Sequence, residues 1–155
     1  MNSGLIRTGA FIGGAWRPAQ SGAEFPVFNP ATGREIARVA DCGAEDADEA
    51  VNAAAGAFPD WSRRTADARS AILKRWRDLI VAHEEELARI ITAEMGKPYA
   101  EALGEVRYGA SYVEWFAEEA KRVYGDVIAN PSPRARTIVL KQPVGVCAAI
   151  TPWNF

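Results

Sequence analysis

Apolar and polar positions change period three times along the chain. Up to about residue 40 the apolar pieces are short and punctuated by turn formers. Phe11-Ile12-Gly13-Gly14-Ala15-Trp16 predicts a hairpin, with Gly-Gly supplying the positive φ angles of a two-residue turn. Phe25 to Phe28 predicts a second extended piece, stopped by the turn chemistry of Asn29-Pro30-Ala31-Thr32-Gly33, and Arg34 to Val39 a third short strand. From Ala44 to Gly125 the pattern is helical. A first helix opens on Glu45-Asp46 and carries Ala47, Val51, Ala54 and Phe58 at helical spacing as far as Pro59. A second, from about Thr65 to Ala82, is expected to bury Ile72, Leu73, Trp76, Leu79 and Ile80. A third uses Leu87, Ile90 and Ile91 and stops at Gly96-Lys97-Pro98. The fourth, from about Tyr99 to Tyr124, turns Ala102, Val106, Ala110, Val113, Ala117 and Ala120 to the core.

Asn130-Pro131-Ser132-Pro133 breaks the chain, and Arg136 to Gln142 then alternates, with Ile138 and Leu140 on one face, as in a strand with one wet side. Val144 to Ile150 is an almost continuous apolar run between Pro143 and Pro152. Such a run predicts a parallel strand buried on both faces; seven residues are too few for a good core helix.

Composition narrows the class. A chain of 155 residues, 48% apolar and 25% charged, suits one folded domain rather than two, and argues against disorder. The 18 basic and 20 acidic residues leave a net charge of -2, with basic and acidic groups interleaved, so no footprint for nucleic acid or an anionic membrane builds up. No internal repeat or apolar run of about 20 residues is present, the apolar patch from Ala10 to Trp16 is shorter than expected of a signal peptide, and the two cysteines form no metal-ligand pattern. A cytoplasmic, reducing location is the expectation.

In open parallel sheets, ligands bind beyond the carboxyl ends of the strands. Thr151-Pro152-Trp153-Asn154-Phe155 follows the apolar run directly, so it is placed like a site; on the residues alone, Trp153 as core and Asn154 as a turn residue is the simpler reading. Other reactive residues favour structural roles. Cys147 lies within the apolar run and is expected to pack as a small hydrophobe, and Cys42 has Asp41 and an acidic helix start beside it, which disfavours a thiolate. His83 sits at a helix junction as a surface or capping residue. Trp76, Trp115 and Phe116 fall at core spacing, and Glu118 with Arg122 makes an i,i+4 pair.

Four ordered motifs alter that weighing. Val144 to Phe155 resembles the pattern GV-x-x-x-I-x-P-W-N-F of the aldehyde dehydrogenase superfamily. Asn29-Pro30-Ala31-Thr32-Gly33, Trp61 after the first helix, and Glu94-Met95-Gly96-Lys97-Pro98 match in order. Glu114 to Asp126 is similar to the succinate-semialdehyde dehydrogenase branch, and the likeness covers about Phe11 to Phe155.

The resemblance implies an α/β fold in which an N-terminal hairpin and helical layer (1–125) belong to a dinucleotide-binding domain. It further implies an oligomerisation arm (126–142), and the first buried parallel strand with its site loop (143–155). It implies oxidation of an aldehyde to an acid with NAD(P)+, with succinate semialdehyde or a close ω-carboxy aldehyde as substrate. In that family Asn154 matches the asparagine whose amide donates to the oxyanion of a cysteine thiohemiacetal. Ile150, Thr151, Pro152, Trp153 and Asn154 match the loop along the dinucleotide, and Phe155 matches the wall of the aldehyde tunnel. The family's nucleophilic Cys and general-base Glu lie C-terminal to this loop, so the chain alone is expected to be inactive. A chain ending inside a site loop is expected to be a piece of a longer one, and a homodimer or homotetramer is implied at full length. NAD against NADP stays open. So do two alternatives: an enzyme for glutarate semialdehyde or another aldehyde, and a truncated, non-catalytic oligomerisation partner.

Overall fold

A computed structural model describes residues 4–152. The predicted hairpin forms: β1 (Ala10–Ile12) pairs antiparallel with β2 (Ala15–Arg17), with Gly13 and Gly14 at φ 60° and 84°. Both central positions of such a tight turn need positive φ, which only glycine adopts freely. Phe11 and Trp16 face each other across the strands with ring centroids 5.1 Å apart. β3 (Glu24–Phe28) and β4 (Glu35–Ala40) make a second antiparallel pair, joined by the Asn29–Gly33 turn. There the Asn29 side-chain oxygen accepts from the N–H groups of Ala31 (2.9 Å) and Thr32 (3.2 Å), the local bonding that makes Asn a turn residue.

Four helices follow. α1 (Ala44–Arg63) runs through Pro59, where the sequence predicted its end, so Trp61 lies inside the helix rather than after it. A proline within a helix removes one N–H and one bond to the preceding turn. Here the helix re-forms at once, and its end is closed at Arg64, which donates its N–H to Trp61 and pairs with Asp60 at 3.0 Å. α1 is tied to the hairpin through Asp46. This carboxylate is 5% exposed and accepts from the N–H groups of Gln20 (2.9 Å) and Gly43 (2.8 Å), while Glu49 pairs with Arg17.

α2 (Ala66–Ala82) starts at the Thr65 cap, whose hydroxyl accepts from Ala68 N–H at 3.2 Å. His83 alone separates it from α3 (Glu84–Met95) and is exposed, as expected of a junction residue. α4 spans Tyr99–Glu119 and ends sooner than predicted, passing into a 3-10 turn over Ala120–Arg122. Beyond it, β5 (Asp126–Ile128) and β6 (Thr137–Val139) form a third two-stranded antiparallel hairpin.

The core sits where α2, α3 and α4 meet. Ala88, Ala102 and Val106 are buried there, with Ile80, Leu87, Ile91 and Leu103 packed around them. α4 buries the face read from the sequence, as Ala102, Val106, Ala110 and Ala117 are all buried. Small side chains let the helices approach closely, and Lys74–Glu118 (2.6 Å) and Arg77–Glu114 (3.3 Å) bridge α2 to α4 at the rim. Arg107 of α4 forks onto the Glu84 carboxylate at 2.7 and 2.8 Å, and this hydrogen-bonded pairing lowers the Glu84 pKa from its ordinary value.

Several burial expectations are corrected. In α2, Ile72, Trp76 and Leu79 are exposed, Trp76 to 54%. The helix faces α4 with the stripe through Ser70, Leu73, Arg77 and Ile80 instead. At about 100° per residue the two stripes lie roughly a third of a turn apart, so a helical period alone merges them. Trp115 (65% exposed) and Phe116 lie outside the buried face of α4. Glu118 bonds Lys74 rather than Arg122, which pairs with Glu119 at 2.6 Å. The alternating segment is a strand only over Thr137–Val139, and Ile138 and Leu140 are exposed because the hairpin has no layer beneath that face among the described residues.

Candidate active site

Beyond β6 the chain leads toward the predicted site at Ile150 to Phe155. Lys141, Gln142 and Pro143 run past Trp61 and Ser62 of α1, Ala66 and Arg69 of α2, and Val123, bordering a cleft of about 460 Å³. From there the backbone is irregular. Val144 to Ile150 is not a strand: no described strand pairs with it, and every β-pairing among the described residues is antiparallel and two-stranded. Strand geometry is stabilised by the ladder to a neighbour, and without one an apolar run has no reason to hold it. Gly145 takes φ 121°, and Val144 and Ile150 are fully or almost fully exposed.

Cys147 is therefore exposed rather than packed, with its thiol 3.7 Å from the Gly145 carbonyl oxygen. Cys42 is also exposed. Desolvation by the surrounding chain, then the carboxylates of Asp46 and Asp41, raise its thiol pKa above the ordinary 9.0, which makes it a poor nucleophile near neutral pH. Among the described residues no group of three or more His, Cys, Asp or Glu side chains could hold a metal ion.

Of the residues named for the site, Ile150, Thr151 and Pro152 are described. They are consecutive, exposed and free of backbone hydrogen bonds to other described residues. Trp153, Asn154 and Phe155 lie outside the described residues. The structure adds two features, one buried and one half-buried, that the sequence reading passed over. One is the Asp46 clamp, signalled by an acid three residues after Gly43 at the helix start. The other is the ion pair of Lys97 (12% exposed) with Glu105, behind the α3–α4 corner. At that corner Gly96 caps α3 at φ 80° and lies against Pro30 of the Asn29–Gly33 turn, so two of the recognised motifs touch.

Residues 16–155 match the family model described as the aldehyde dehydrogenase family. The chain belongs to the aldehyde dehydrogenase family. It is 56% identical to a 3-sulfolactaldehyde dehydrogenase of Pseudomonas putida, over 97% of this chain and 31% of that protein. It is 54% identical to the mitochondrial succinate-semialdehyde dehydrogenase of Arabidopsis thaliana, over 99% of this chain and 29% of that protein. The crystal structure of succinate-semialdehyde dehydrogenase from Burkholderia pseudomallei superposes with a TM-score of 0.96 at 51% identity, covering 99% of this chain and 32% of that one. The chain thus spans under a third of the length of these relatives. Family members in this comparison are oxidoreductases acting on aldehydes, and the helical layer with its hairpins is consistent with an N-terminal piece of their fold. No helix among the described residues is long and apolar enough to cross a membrane.

Proposed function

We propose that this chain is the N-terminal part of a longer NAD(P)-dependent aldehyde dehydrogenase whose substrate is a small aldehyde with an anionic terminus. The observation that carries the reading is the match over residues 16–155, joined to what the relatives' names have in common. Succinate semialdehyde and 3-sulfolactaldehyde each place a carboxylate or sulfonate two carbons from the aldehyde carbon. Succinate semialdehyde is the substrate we favour between them.

Oxidising an aldehyde to an acid removes a hydride, which the nicotinamide dinucleotide accepts when bound. The segment from Ile150 to Asn154 is assigned to its binding. The fit is supported by the exposure of Ile150, Thr151 and Pro152 and by their backbone groups being uncommitted to other described residues. Asn154 would donate its amide N–H to the aldehyde oxygen as that oxygen gains negative charge, and Phe155 would border the aldehyde. Residues 126–142 would serve as the arm joining subunits of a homodimer or homotetramer. The β5–β6 hairpin supports this with an apolar surface that includes Val127, 79% exposed. A cytoplasmic location is kept as part of the proposal.

The test is a substrate panel on the protein at its natural length, following NAD(P)H formation. Succinate semialdehyde and 3-sulfolactaldehyde should exceed propanal in kcat/KM by at least about tenfold, the ratio that 1.4 kcal/mol of differential transition-state binding confers. Equal rates with propanal would overturn the substrate reading, and no NAD(P)H with any aldehyde would overturn the activity.

A further inference from the structure

We draw no further inference here: the strongest candidate, the outward aromatic stripe of α4 formed by Tyr108, Tyr112 and Trp115 opposite the helix's buried face, is exposed in the structure and nothing among the described residues shows what covers it.

Discussion

Replacing Gly96 by Ala should loosen the α3–α4 corner through two separable effects. The first is backbone strain. Gly96 caps α3 in the left-handed region at φ 80°, where an L-residue costs about 1–2 kcal/mol. The second is a contact. A Cβ on Gly96 would stand 3.0 Å from Cγ of Pro30, tighter than ordinary packing, and overfilling a packed site costs roughly 1–3 kcal/mol. The pyrrolidine ring can pucker, which favours the lower end, so the sum is about 2–4 kcal/mol.

Native-state amide exchange of the peptide containing Thr92 to Glu101 reads this locally, because the Gly96 N–H donates to Thr92 O at 3.0 Å and the Glu101 N–H to Pro98 O at 3.0 Å. At tenfold per 1.4 kcal/mol, exchange there should quicken by roughly 30- to 1,000-fold in Gly96→Ala. The double variant Pro30→Ala/Gly96→Ala should recover the contact part and leave the backbone part, roughly a 5- to 30-fold acceleration relative to Pro30→Ala. Gly96→Asn should show the reverse balance, since Asn tolerates the left-handed region but keeps the Cβ. Exchange in Gly96→Ala within about threefold of the parent would refute the strain argument. Failure of Pro30→Ala to recover anything would refute the contact.

Three further outcomes are expected. Ser70→Ala should raise stability by about 1 kcal/mol in thermal or urea unfolding, because the Ser70 hydroxyl is buried in α2 without a hydrogen-bond partner among the described residues; destabilisation would mean that the hydroxyl has a partner in solution. Asn154→Ala in the protein at its natural length should lower kcat by roughly 10²–10³-fold with little change in dinucleotide affinity, and an unchanged kcat would remove Asn154 from the chemistry. The 155-residue chain expressed alone should associate on size-exclusion chromatography and form no NAD(P)H with succinate semialdehyde, since large apolar side chains such as Trp115, Phe116 and Ile150 are exposed; a monomer with turnover would contradict both expectations.

The elements that were legible in the sequence are those fixed by local chemistry. The Gly13-Gly14 turn, the Asn29–Gly33 turn and the Gly96 stop each determine a backbone conformation within a few residues, and each stands where it was expected. In α4 the buried face was legible because Ala102, Val106, Ala110 and Ala117 recur in phase, whereas Trp115 and Phe116, read at core spacing, lie outside it. α1 was cut short because proline was read as a stop, although one missing N–H need not end a helix whose following residues can bond onward. The Val144–Ile150 strand was not recoverable by the same means. A strand is a relation between two segments, and an apolar run specifies only that it would be buried if a partner were beside it.

The large misjudged side chains share a direction. Ile72, Trp76, Leu79, Trp115, Phe116, Leu140 and the run from Val144 to Ile150 were all read as facing a core, and they are exposed. Chance errors in a hydrophobic pattern would scatter both ways. A one-sided excess means that the sequence encodes more burial than the described residues provide. α2 makes this concrete: the face through Ser70, Leu73, Arg77 and Ile80 packs on α4, and the apolar stripe of Ile72, Trp76 and Leu79 is exposed. The chain spans under a third of the length of these relatives. The candidate site follows the same logic. The proposed role of the Ile150–Asn154 segment, a backbone and one amide donor, would need groups held by other elements. That proposal rests on a family pattern, whereas residue chemistry alone gave a loop with an aromatic and an amide.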